Sequence, residues 1–186
     1  MHFDTLAIAD VLVLEPKRFG DDRGFFSETY NARTFADIVG DETVFVQDNQ
    51  SLSVEPWVLR GLHFQKPPFA QAKLVRVVHG RIWDVAVDIR EHSKSFGQWV
   101  AVELSAENWK QLYIPEGFAH GFLTLEPNTE VVYKVADFYK LEADCGIIWN
   151  DPTLSIDWPL PAGVNPVLSD KDRKLPGMSE ARGAFS

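Results

Sequence analysis

The residues best suited to chemistry lie in one short stretch, Val58-Leu59-Arg60-Gly61-Leu62-His63-Phe64-Gln65, and in Lys73 just after it. An imidazole can take up or release a proton near neutral pH. An ammonium or guanidinium can hold developing negative charge. Leu59, Leu62 and Phe64 suit a core strand, yet a guanidinium, an imidazole and an amide sit among them. Lys73 opens the next apolar run, Leu74-Val75-Arg76-Val77-Val78. Charge inside a sheet-built core is costly unless it is paired. Either Arg60, His63 and Lys73 all face solvent, or they line a polar cavity. Strand alternation puts residues i and i+2 on one face, so Arg60 and His63 are out of phase. Gly61 between them marks a bulge or the close approach of another strand.

A second constellation is Pro115-Glu116-Gly117-Phe118-Ala119-His120-Gly121. Proline and glycine fix a tight turn that delivers His120 to the start of the next strand. The P-x-G-x-x-H spacing resembles the second motif of the cupin superfamily, β-barrels of jelly-roll type. Metal-binding cupins add a His-x-His pair and a later Glu in a first motif. The matching place here reads His63-Phe64-Gln65. An amide is a poor transition-metal ligand, so no metal is expected. Taken alone, His120 reads better as a hydrogen-bonded core histidine.

These side chains need a sheet to position them. Val11 to Leu14, Phe25 to Tyr30 and Val44 to Asn49 read as strands, with a turn at Asp21-Asp22-Arg23-Gly24. Asn31 can cap a short helix through Phe35, Ile38 and Val39 that ends at Gly40. Leu74 to Val78 and Ile82 to Arg90 flank His79-Gly80 and read as a hairpin. Strands over 99–104, 112–115, 118–125 and 131–135 follow. Many short strands with few helices predict an all-β jelly-roll sandwich or barrel. Residues 152–186, rich in proline, read as an irregular tail packed on a single domain spanning 1–186. Within it, Ser169-Asp170-Lys171-Asp172 can open one helical turn.

The chain has 186 residues, 45% of them hydrophobic, enough for one full core. No run is long and apolar enough to span a membrane, and Met1-His2-Phe3-Asp4 does not begin like a signal peptide. The single cysteine, Cys145, allows no internal disulfide and makes the cytoplasm the expected compartment. A net charge of −9 disfavours nucleic acid as a partner, but not a small anionic ligand.

The chain resembles the dTDP-sugar isomerase family, metal-free cupin epimerases of dTDP-4-keto-6-deoxy sugars. The resemblance covers nearly the whole length. It rests on Gly20-Asp21-Asp22-Arg23-Gly24-Phe25-Phe26, Phe45-Val46-Gln47-Asp48-Asn49, Leu59 to Gln65, Lys73-Leu74-Val75-Arg76 and Asp84 to Arg90. Pro115 to Phe122, Trp149-Asn150-Asp151-Pro152 and Leu168-Ser169-Asp170-Lys171-Asp172 complete it. The resemblance implies a dTDP-linked 4-keto-6-deoxyhexose as substrate, a homodimer and no cofactor. The reaction it implies inverts C3 and C5, both α to the C4 carbonyl. Proton removal gives an enolate, and a proton then arrives on the opposite face.

By the same resemblance His63 is the base and Asp172 its carboxylate partner. The residues alone leave Asp170 as a competitor, and Asp172 could instead cap a turn with Ser169. Lys73 corresponds to the enolate-oxygen cation, Tyr133 to the opposite-face acid and His120 to a sugar contact. Arg23 and Arg60, with Lys171, correspond to diphosphate contacts, and Tyr139 with Phe26 to the thymine stack. Glu28, Gln47, Asn49 and Asp144 match base- or sugar-contacting positions, although Glu is common where Asp144 stands. Because the family exchanges N-terminal strands in its dimers, some of these side chains can serve the neighbour's site. The alternatives kept open are a mono-epimerase or ketoisomerase of the same family, a metal cupin and a non-catalytic sugar-nucleotide binder.

Overall fold

The computed structural model describes residues 1–40 and 43–185. Its strands are β1 (His2–Thr5), β2 (Leu12–Glu15), β3 (Arg18–Asp21), β4 (Gly24–Ser27), β5 (Gln47–Ser53), β6 (Leu59–Gln65) and β7 (Lys73–His79). They continue as β8 (Arg81–Asp88), β9 (Trp99–Ser105), β10 (Gln111–Ile114), β11 (Phe118–Thr124), β12 (Thr129–Val135) and β13 (Asp144–Gly146). Helix α1 (Ala32–Val39), helix α2 (Met178–Ala181) and two 3-10 turns, Leu141–Ala143 and Asp172–Lys174, are the helical elements.

A six-stranded sheet in the order β1-β2-β10-β7-β12-β5 faces a five-stranded sheet in the order β13-β6-β11-β8-β9. Period-two alternation sorts each strand's side chains between the two faces. Val75, Val77, Leu112 and Val131 of the first sheet meet Ile82, Ala86, Phe118 and Phe122 of the second in the inner core. The outer face of the six-stranded sheet packs Leu12, Leu14, Leu74 and Tyr113 under Phe35 of α1. The outer face of the five-stranded sheet packs Leu59, Leu62, Val85 and Ile89 under Leu154, Trp158 and Met178 of the C-terminal segment. This is a jelly-roll sandwich, as the sequence led us to expect.

Helix α1 forms where its caps dictate. Asn31 Oδ1 accepts from the Arg33 and Thr34 amides at 3.1 and 3.2 Å. Gly40 closes the helix in the left-handed region at φ 70°. The buried Phe35 ring contributes on the order of 2 kcal/mol.

Two sequence-based expectations are corrected. β7 and β8 are not a hairpin: β7 pairs with β10 and β12, β8 with β11 and β9. Gly80 instead carries the chain from one sheet to the other. Its φ is 74°, and a Cβ there would sit 2.4 Å from Thr129 Oγ1. The strand expected over 44–49 begins later, at Gln47, and runs to Ser53. Among the described residues β5 is an edge strand paired only with β12. Its polar alternation hid it, while Phe45 packs against Tyr30 and Phe35 under α1.

Candidate active site

Inner-face positions of both sheets turn from apolar to polar toward one part of the sandwich. On β7 the residue in phase with the core positions Val75 and Val77 is Lys73. On β12 the residue in phase with Val131 is Tyr133, which pairs with Asn49 of β5. On β11 His120 lies between Phe118 and Phe122, and on β8 Asp84 lies between Ile82 and Ala86. The result is a cleft made of two adjoining cavities of about 450 and 270 Å³ that share His63, Lys73, Tyr133 and Lys171.

The phase problem in β6 is solved by a bulge. His63 pairs with His120 and Arg60 with Phe122, so three steps on β6 oppose two on β11. Both Arg60 and His63 thereby line the cleft, while Leu59 and Leu62 stay in the outer cluster. Gly61 sits at the bulge with φ 124°. A Cβ there would stand 2.5 Å from Gly121 Cα and 2.7 Å from the His120 carbonyl. Only glycine lets β6 and β11 approach so closely.

His63 Nε2 lies 2.5 Å from Asp172 Oδ1. The Asp172 side chain is 5% exposed and that of His63 31%. Asp172 Oδ2 accepts from Ser169 Oγ at 2.8 Å, and the Asp172 amide donates back to Ser169 Oγ at 3.1 Å. Turn capping and histidine pairing coexist because they use different carboxylate oxygens. Burial would raise this carboxyl, but His63, Ser169 and nearby Lys171 together hold it below the usual carboxylate range. Asp170 is no rival: it is 89% exposed and bonded to Arg173 at 3.0 Å. An ionised Asp172 on Nε2 fixes the neutral tautomer with its proton on Nε2, which leaves the Nδ1 lone pair as the base.

Lys73 is 9% exposed and its Nζ donates to the His63 carbonyl at 3.4 Å. Burial pulls its ammonium down to about 8, against the pull of Asp84 and Asp144 and with the push of Lys171. His120 Nε2 lies 2.9 and 3.1 Å from the two oxygens of Asp84. Burial lowers the His120 imidazole despite Asp84, keeping it neutral near pH 7. Tyr133, on the same sheet as Lys73, faces His63 and His120 on the other. Burial pushes its phenol up, opposed by the Arg60 charge, so it stays protonated.

At the other side of the cleft, Lys171 Nζ meets Asp144 Oδ2 at 2.5 Å, and the Tyr139 hydroxyl donates to the same oxygen at 3.0 Å. Asp144 thus reaches both Lys171 and Tyr139. Gln47 Nε2 donates to Asn49 Oδ1 at 2.8 Å along β5. Gln65 donates to the carbonyls of Phe69 and Phe138 and accepts from the Lys140 amide. Its amide is thus committed to holding backbone. Among the described residues no group of three or more His, Cys, Asp or Glu is placed to hold a metal.

The profile of the family described as dTDP-4-dehydrorhamnose 3,5-epimerase matches residues 5–180. The chain belongs to this family. It is 56% identical over 175 residues to the dTDP-4-dehydrorhamnose 3,5-epimerase of Escherichia coli K12, covering 94% of this chain and 93% of that one. The crystal structure of the Bacillus anthracis enzyme of the same name, with TDP and pyrophosphate bound, superposes with a TM-score of 0.90 at 50% identity. It covers 95% of this chain and 98% of its own. A dTDP-6-deoxy-D-glucose-3,5-epimerase of Legionella pneumophila, in complex with dTDP-4-keto-L-rhamnose, gives 0.90 at 45% identity, covering 96% and 93%. The chain is thus an epimerase by family, and its fold is that of these enzymes.

Eleven of the residues carried over from the family line or border the cleft: His63, Lys73, Tyr133, Asp172, Arg60, His120, Gln47, Asn49, Tyr139, Asp144 and Lys171. Arg23, Phe26 and Glu28 do not. They lie on the exposed β3–β4 hairpin and the segment leaving it. Arg23 is bonded to Asp21 within that hairpin, and Phe26 is 70% exposed. Asp84, the partner of His120, was not singled out from the sequence as a site residue. Its signal was an acid in phase with the core positions Ile82 and Ala86, a place where an unpaired charge cannot stay.

Proposed function

We propose that this chain inverts C3 and C5 of dTDP-4-dehydro-6-deoxy-D-glucose to give dTDP-4-dehydro-L-rhamnose, on the way to dTDP-L-rhamnose. The observation that carries this reading is the cleft itself: His63 on one sheet, Tyr133 on the facing sheet and a buried Lys73 beside the base. His63 Nδ1 takes the proton from C3 or C5, and the C–H electron pair moves into the carbon–carbon bond as the C4 carbonyl becomes an enolate oxygen. Lys73 stabilises that oxygen in a largely dry site. Asp172 stabilises the imidazolium as it forms. Tyr133 delivers a proton to the opposite face of the carbon, and the C4 carbonyl reforms.

Arg60 and Lys171 hold the diphosphate, and Tyr139 beside Asp144 stacks the thymine. Arg23, Phe26 and Glu28 act in the neighbouring subunit's cleft of a homodimer. Their exposure, together with Phe19 and Phe25 on the same hairpin, supports that assignment. A cytoplasmic location is proposed on the lone free Cys145. No described helix is long and apolar enough to cross a membrane.

The test is NMR of the 4-keto sugar nucleotide with this protein in deuterated water, with a reductase present to trap product. Deuterium at both C3 and C5 and an L-rhamnose product are expected. Exchange and inversion at one carbon would convert the reading to a mono-epimerase. No exchange at either would leave a binding protein.

A further inference from the structure

Tyr139 lies in a segment that its own large side chains do not anchor. Phe138 is 57% exposed, Tyr139 55% and Leu141 76%. Burial of these rings therefore does little to fix the stretch. What fixes it is a row of hydrogen bonds to the connection between β6 and β7. Gln65 is 4% exposed, and its Nε2 donates to the Phe69 and Phe138 carbonyls at 2.8 and 3.2 Å. Its Oε1 accepts from the Lys140 amide at 2.6 Å. One side chain thus grips the backbone on both sides of Tyr139. Gln71 Nε2 donates to the Asp137 carbonyl at 2.6 Å. Backbone bonds from the Ala136 amide to Ala72 and from the Lys66 amide to Ala143, each 3.0 Å, close the row at its ends. Both glutamines and Tyr139 line the same cavity.

We infer that Gln65, assisted by Gln71, is the residue that positions Tyr139 and so sets the enzyme's grip on the nucleobase. This rests on the reading that Tyr139 stacks the thymine.

Gln65 does not do this by touching the ligand. Both of its N–H donors and one lone pair of its oxygen are already used within the chain. It stands on β6 two residues past His63, directly across from Asp144 of β13. Asp144 accepts from the Tyr139 hydroxyl at 3.0 Å. Two facing residues therefore hold the two ends of the tyrosine, Gln65 through the backbone and Asp144 through the hydroxyl. A half-exposed ring on an unanchored backbone would have to be ordered each time a thymine stacks on it, at a cost to affinity. Fixing the ring beforehand removes that cost, and it ties the stacking surface to the strand that carries His63.

The probes are dTDP and inorganic pyrophosphate, titrated calorimetrically into the full-length protein. Gln65→Met keeps the length of the side chain and removes all three bonds. It weakens dTDP by about tenfold and leaves pyrophosphate unchanged. The KM for the keto sugar nucleotide rises with it, while kcat moves by less than about twofold. With Tyr139→Ala already present, the same change has no further effect on dTDP. Gln71→Met removes one bond and weakens dTDP by about threefold, again only where Tyr139 is intact. Unchanged dTDP affinity in the glutamine variants overturns the assignment. An equal loss of pyrophosphate, or an equal loss of dTDP in the Tyr139→Ala background, also overturns it, since the change would then act on the diphosphate end or on the fold at large. If Gln65→Met does not fold, Gln71→Met decides by the same criteria. A Tyr139→Ala variant that binds dTDP as the wild type does removes the stacking reading along with this one. A weakened Tyr139→Ala beside silent glutamine variants removes only this one.

Discussion

His63 and His120 stand directly opposite each other on β6 and β11, and each is bonded to a different aspartate. The two pairs differ in burial: the His63 side chain is 31% exposed, that of His120 8%. One imidazole can reach a substrate carbon and cycle its charge. The other is held neutral by burial with its one N–H turned to Asp84, so it can only accept a hydrogen bond through Nδ1. Two like residues thus acquire unlike tasks from their surroundings.

Replacing Asp172 by Asn removes the carboxylate that fixes the His63 tautomer. Solvent-deuterium exchange into the substrate should fall by about 10²–10⁴-fold, as should exchange in His63→Ala. Binding of dTDP should change little in either. Exchange at wild-type rate in His63→Ala would remove this residue as the base.

Asp84→Asn leaves His120 in the cavity without its anionic partner. Turnover should drop by up to about a hundredfold, the cost of one misdirected buried hydrogen bond. The KM for the sugar nucleotide should move far less. A change confined to KM would make His120 a binding group only.

The Lys73 ammonium, lowered to about 8 by burial, sets an alkaline limit. As pH rises through 8 the cation at the enolate oxygen is lost, so kcat/KM should fall there. Tyr133, pushed up by burial, is still protonated at that point. Lys73→Met should cost about 10²–10³ in kcat and abolish the limb near pH 8. Stability runs the other way. The unfolded lysine keeps its proton to about 10.5 and the folded one only to about 8. Between those values the unfolded chain binds more protons, so this group makes unfolding less favourable as pH rises. Chemical denaturation of wild type and Lys73→Met at pH 7 and 10 checks the sign.

Gly61→Ala places a methyl 2.5 Å from Gly121 Cα at a φ of 124°. Stability should fall by about 1–3 kcal/mol, a Tm loss of several degrees by calorimetry. Exchange activity should fall further than the folded fraction does, because the bulge is what brings His63 to the cleft. An active, equally stable variant would contradict the bulge.

If Arg23 serves the neighbouring cleft, two weak variants should rescue each other. His63→Ala chains carry an intact hairpin, and Arg23→Ala chains carry an intact base. After subunit exchange a one-to-one mixture should recover roughly a quarter of wild-type activity, as random pairing in a two-fold dimer gives. No recovery in a mixture shown to exchange would place Arg23 outside the neighbour's site.

Much of the site could be read from residue types because those types are expensive where they stand. His63 and Lys73 interrupt apolar runs, and the cavity explains both. Asn31 and Gly40 announced α1 because capping is local chemistry. The β7–β8 error has the opposite origin. A glycine turn between two apolar runs looks the same whether the strands pair in one sheet or pass between two. The choice is made by β10, β11 and β12, which are distant in sequence. Asp170 and Asp172 were inseparable in the sequence for a related reason. Only the turn that buries one and exposes the other decides between them, and that turn is set by tertiary packing. Arg60 and His63 seemed out of phase because a bulge adds a residue that alternation does not count.

The partner of His63 comes late in the chain. Val167 ties the C-terminal segment to the start of β6 by hydrogen bonds with Trp57 and Leu59, and Asp172 follows five residues on. Every strand of both sheets has been made before Asp172 is. Until that segment is in place His63 stands without its carboxylate, the cleft lacks Lys171, and Leu59, Leu62, Val85 and Ile89 lack the cover of Leu154, Trp158 and Met178, so base, binding wall and outer core are completed by one stretch of chain.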